Sequence, residues 1–250
     1  MGESTALCAD GDSIEGVSRK ISEAYGWRET LMVLVLFFAP VLLVVPVGAI
    51  WTMIDRGALK RAIAADNIGL TSLVIASVVA LVSLSLVIVY MSARNSRHCL
   101  TWAAFGFRKA PLGRSVKYIV GFFGLATLTV VAFAVTAVLL GLPEPATATR
   151  PDQTALSWAL VLVGAVVAGP AAEEIVFRGL LFGRLREHYR FAIAALLSSL
   201  AFALVHLNPA VLVTALPLGI YLCFMYKRLG SIVPGMVLHM MWNFMVSTIR

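Results

Sequence analysis

The segment Pro170-Ala-Ala-Glu-Glu-Ile-Val-Phe-Arg-Gly179 places two carboxylates and a guanidinium at the end of a run so apolar that it has to lie in a bilayer. Ionisable groups inside a membrane are costly and mark functional sites by default. Helical spacing sorts them. Glu174 and Arg178 stand i,i+4 with the acid on the N-terminal side, the favourable order for an ion pair. Glu173 shares its face with Phe177 and is left without a local counter-ion. Carboxylates buried without a partner hold a proton more readily, which suits general-base work. Pro170 cannot donate to the carbonyl of Val166, so it is expected to kink the helix or begin its last section, opening room for water beside the acids.

Two further polar pairs occupy later apolar runs: Phe202 with His206, and His239 with Asn243, each one helical turn apart. A glutamate and a histidine can activate water, and histidine and asparagine can stabilise an oxyanion, so the combined chemistry is that of hydrolysis. Each element also has a plainer reading. A histidine or asparagine in a membrane helix is commonly an interhelical hydrogen-bonding device, and Glu174–Arg178 can be an intrahelical clamp. His98 and His188 fall in basic connectors and read as surface residues. Gly164, Gly169, Gly179 and Gly183 read as close-packing positions. A rise of 1.5 Å per residue lets Glu173, His206, His239 and Asn243 share one level, about 10 to 15 Å inside the bilayer.

The elements that must position these groups are membrane helices. Of the 250 residues, 60% are hydrophobic and 13% charged, against about a quarter charged in ordinary soluble domains. Apolar runs long enough for the bilayer lie near 31–53, 69–92, 119–141, 155–183, 191–207, 210–226 and 231–249. The fold class expected is all-α, a polytopic transmembrane bundle of about seven spans, with six or eight the neighbouring counts. Residues 1–30 read as a tail, 31–150 as N-terminal spans with a basic connector at 94–118, and 151–250 as the catalytic core. The N-terminus has neither a secretory h-region nor a myristoylation motif. The three cysteines (Cys8, Cys99, Cys223) are scattered and suggest neither a disulfide framework nor a thiolate metal site.

Seven spans sort the connectors onto two sides. Fourteen Lys and Arg residues fall on the side of the N-terminus, against five (Arg56, Lys60, Arg61, Arg150, Arg250) on the other. The positive-inside rule then places the N-terminus in the cytoplasm. The formal charge of +7 therefore reflects topology and anionic lipid, with the connector 94–118 as an interfacial anchor, and not nucleic acid.

In order, Glu173-Glu174-xxx-Arg178, Phe202-xxx-His206 and His239-xxx-Asn243 resemble the EExxxR, FxxxH and HxxxN motifs of the CPBP family of intramembrane proteases, which includes the CAAX prenyl endopeptidases and the bacterial Abi proteins. The resemblance covers roughly residues 150–250. It implies that Glu173 and His206 activate the attacking water and that His239 and Asn243 hold the oxyanion. Glu174, Arg178 and Phe202 would support them. A metal-free glutamate mechanism needs no cofactor. The family's description as metalloproteases offers the alternative that Glu173, His206 and His239 form a His₂Glu zinc set. The expected substrate is a membrane peptide or protein, prenylated CAAX-type in eukaryotic relatives, and the expected location a bacterial inner membrane. The competing classes are a non-enzymatic immunity or scaffold protein of the same fold and a proton-coupled transporter.

Overall fold

A computed structural model describes residues 21, 23–54, 68–139, 154–206 and 209–249; most of the expected N-terminal tail and the connectors 55–67 and 140–153 lie outside the described residues. Seven long helical elements carry the described chain, with no strand among them: α1 Trp27–Ile54, α2 Ile68–Arg97, α3 Leu112–Leu139, α4 Ala155–His188, α5 Phe191–Leu204, α6 Pro209–Leu229 and α7 Val233–Ile249. Continuously apolar sequence in lipid has to satisfy its backbone within itself, which leaves helix as the solution for each run. Four described stretches are long and apolar enough to cross a membrane: Trp27–Val44, Thr71–Arg97, Ala155–His188 and Val211–Leu229. The chain is an integral membrane helical bundle.

α4 is the axis. Every residue from Glu174 to Phe182 is buried. Its winding departs from the α form over Val161–Ala168 and again over Glu174–Phe182, where the turns widen to π geometry around a short α segment, Gly169–Glu173. Such widened turns are frequent at functional sites. α2 packs against the first half of α4 at van der Waals limit. A Cβ on Gly164 would come 2.6 Å from the Ser77 Cα, and the Ser77 hydroxyl donates to the Leu160 carbonyl at 2.9 Å. At its other end α2 is tied to the start of α1, where the Tyr25 hydroxyl donates to Asn95 at 2.9 Å and Arg94 pairs with Glu29 at 3.3 Å. On α5, the Ser198 hydroxyl donates to the Phe177 carbonyl of α4 at 2.9 Å. On α6, the Tyr221 hydroxyl donates to the Tyr118 carbonyl of α3 at 2.7 Å.

The connectors gather at one end of the bundle. Trp27 stacks on His188 with 5.8 Å between ring centroids, Lys227 sits 4.4 Å over Phe191, and the Ile232 N–H donates to the Gly106 carbonyl at 2.9 Å. The side carrying most of the cations is thus one physical surface.

Three expectations need correction. The fourth span continues to His188, because the basic turn Gly183–His188 stays helical beyond the apolar run. The fifth helix stops at Leu204, so His206 belongs to a turn and not to a span. Cys99, in a left-handed conformation at φ 52°, is disulfide-bonded, whereas Cys223 is a free buried thiol.

Candidate active site

Glu174 and Arg178 form the buried base of the site. Arg178 Nη1 donates to Glu174 Oε1 at 2.8 Å, and both side chains are 1% exposed. The guanidinium carbon lies 4.2 Å over the Phe202 ring, and a Cβ on Gly219 of α6 would come 3.2 Å from Nη2. The same Cβ would come 2.8 Å from the Ser199 Cβ, so Gly219 lets α6 pack closely against α5 beside the arginine. The expected pairing of Glu174 with Arg178 is therefore present, and Glu173 is left free of that cation.

Glu174 also reaches across to α7. His239 Nδ1 lies 2.9 Å from Glu174 Oε1. A carboxylate held by an arginine accepts hydrogen bonds only, so this contact places hydrogen on Nδ1 and turns Nε2 outward. His206 is set the same way by different means. Its Nδ1 lies 2.9 Å from the Phe202 carbonyl, another pure acceptor, and again Nε2 is the free atom. Both Nε2 atoms face Glu173: His239 at 3.6 Å from Oε2 and His206 at 3.9 Å from Oε1. These separations exceed a direct hydrogen bond and leave space for a small donor among three acceptors.

Phe202 holds the arrangement in register. Its ring meets His206 edge-on at 5.1 Å, His239 at 5.5 Å and Phe177 at 5.5 Å, besides lying under Arg178. One aromatic side chain therefore touches groups from α4, the end of α5 and α7.

Asn243 is placed elsewhere. Its amide donates to the Ala165 carbonyl in α4 at 2.9 Å. The winding of α4 explains why. The Gly169 N–H bonds to the Gly164 carbonyl, a register of five. In that register Pro170 stands opposite Ala165 and has no N–H to give. The carbonyl stranded by the proline is thus Ala165's, not Val166's as α winding would make it, and Asn243 satisfies it.

A cavity of about 470 Å³ ends on Glu173 and His206. Its far wall comes from α1 (Phe37, Phe38, Val41) and α2 (Ala76, Val79, Ala80), helices outside the three motifs. The sequence assigned them no role. The available signal was faint: Ser72, Ala76 and Ala80 recur every four residues and give α2 one narrow face.

Glu173, His206 and His239 offer the atom types of a His₂Glu zinc set, with Glu174 behind His239 in the manner of an orienting carboxylate. Among the described residues, however, no three His, Cys, Asp or Glu side chains close on a point as a preformed metal cage.

Residues 155–245, which contain all three motifs, match the family model of type II CAAX prenyl endopeptidases, Rce1-like. The chain is also 34% identical over 84 residues to the Bacillus subtilis (strain 168) protein named "Putative membrane peptidase YdiL". That alignment spans about a third of each chain, 34% of this one and 34% of the relative. No solved structure matches. The resemblance to the CPBP family carried by the three motifs holds for this C-terminal segment.

Proposed function

We propose that this chain is an intramembrane endopeptidase whose general base is Glu173. The observation that carries this reading is the pair of imidazole Nε2 atoms, 3.6 and 3.9 Å from one carboxylate, at the end of an apolar cavity. A water held there donates to Glu173 and to the Nε2 of His206. Glu173 takes its proton as the water oxygen bonds to the scissile carbonyl carbon. The oxyanion is met from α7 by the Asn243 amide hydrogen not used by Ala165, while His239, held by Glu174 through Nδ1, turns its Nε2 to the water beside Glu173. Glu173 then returns the proton to the leaving nitrogen as the C–N bond breaks, giving a carboxylate and an amine. A zinc ion held by Glu173, His206 and His239 would supply Lewis acidity and a more acidic water, and Glu174 would then be the carboxylate left for proton transfer.

The substrate is a membrane peptide or protein. The cavity wall is almost wholly aliphatic and aromatic, and the Ser83 hydroxyl within it already donates to the Phe37 carbonyl at 2.8 Å. A bare extended backbone finds few partners there, whereas a prenyl chain or an apolar side chain needs none. The cation-rich end of the bundle faces the cytoplasm of a bacterial inner membrane by charge. Reagent access to a cysteine placed at Arg190 checks this orientation, with labelling expected from the cytoplasmic side.

The test is cleavage of farnesylated and unprenylated membrane peptides by the wild type, Glu173→Gln and His206→Ala in nanodiscs, read by mass spectrometry. Loss of wild-type cleavage in both variants is expected. Equal cleavage by all three proteins would overturn the reading. A transporter would instead retain flux with altered pH dependence in Glu173→Gln.

A further inference from the structure

A second cavity, of about 620 Å³, lies at the opposite face of α7 from the cleft and has no part in the chemistry above. It runs between the start of α3 and the start of α7. Leu112 and Val116 on α3, and Val233 and Val237 on α7, form two aliphatic rails, each a pair one turn apart and each residue exposed. At the connector end the groove is closed by Arg108 and Lys109, both exposed. Arg114 and Lys117 are exposed on the first turns of α3, outside the groove lining.

Among the described residues these cations meet no acid. The sequence contains no Asp or Glu from residue 94 to 118 or from 227 to 250, and among the described residues none of the four pairs with a carboxylate. The mouth is also held in shape. The Ser231 hydroxyl donates to the Arg108 carbonyl at 2.7 Å, and Arg108 Nε donates to the Ala103 carbonyl at 2.6 Å. Gly106, at φ 90°, lets the connector sit against Tyr226 and Ile232, where a Cβ would come within 2.8 and 2.9 Å. A fixed cationic mouth above a hydrocarbon-lined groove matches a molecule with an anionic head and an aliphatic tail.

We propose that this groove binds an anionic phospholipid, with the phosphate against Arg108 and Lys109 and one acyl chain between α3 and α7. Charge complementarity selects the headgroup, and the two aliphatic rails distinguish a lipid from free phosphate. The site lies on the same helix as His239, whose ring is two residues beyond Val237, so a bound chain braces the helix that carries it.

The full chain in detergent tests this by thermal unfolding with added phosphatidylglycerol, with phosphatidylcholine of the same acyl chains, and with sodium phosphate. Phosphatidylglycerol is expected to raise the midpoint well above the other two additions. The double variant Arg108→Gln/Lys109→Gln and the groove-filling Val116→Trp should each lose that shift while keeping the lipid-free midpoint of the wild type. Equal shifts with the two lipids, a shift reproduced by phosphate alone, or an undiminished shift in Val116→Trp would each overturn the proposal. If a variant lowers the lipid-free midpoint, the three additions to the wild type still decide.

Discussion

Arg178 holds its charge with almost no access to water. It is 1% exposed, and its Nε and Nη2 find no hydrogen-bond partner among the described residues. Its stability rests on Glu174 and on the face of Phe202. Removing one member of a buried pair strands the other charge, at a cost of about 3–5 kcal/mol. Arg178→Met should therefore lower the unfolding midpoint in detergent sharply, and Glu174→Gln/Arg178→Met should recover part of the loss because neither charge is left alone. Similar midpoints for the wild type and Arg178→Met would show that the pair does not hold the site. Glu173 is different: at 17% side-chain exposure and without a cation, its replacement by Gln should change chemistry and leave stability nearly untouched. The pairing of Glu174 with Arg178 is legible from spacing alone. The link from Glu174 to His239 is not, because the two residues are 65 positions apart and nothing local aligns them.

At the scale of the element, α4 depends on a proline and an asparagine from different helices. Asn243 donates to the carbonyl that Pro170 strands, so the two residues should be coupled energetically. Asn243→Ala is expected to cost about 0.5–2 kcal/mol, the range for hydrogen bonds between membrane helices. In a Pro170→Ala background the restored N–H serves Ala165, and the same substitution should cost less. A double-mutant cycle in unfolding free energy reads this directly, and additive penalties would exclude the coupling. The sequence marks Pro170 as a break in the helix. It does not say which carbonyl is freed, because that depends on a π register imposed by packing, including the contact of Gly164 on Ser77.

For the molecule as a whole, the N-terminal helices complete the cavity and so should influence what reaches Glu173. Filling it with Ala80→Trp is expected to reduce kcat/KM for a farnesylated peptide by about tenfold or more, the scale on which apolar pockets discriminate. The unfolding midpoint should stay near that of the wild type, since Ala80 borders open space. Unchanged kcat/KM for a folded variant would remove α1 and α2 from substrate selection. By itself the sequence determined the all-α membrane class, seven helices, the ion pair on one turn and the three motifs, because hydropathy and i,i+4 spacing are local properties of the chain. Tertiary structure alone decided the rest. It set which nitrogen of each histidine faces Glu173, the use of Asn243 at Ala165, the ending of α5 before His206, and the cavity wall supplied by α1 and α2. Each of these depends on contacts between residues far apart in the chain, and a uniformly apolar helix carries no periodic mark of which neighbour it will meet.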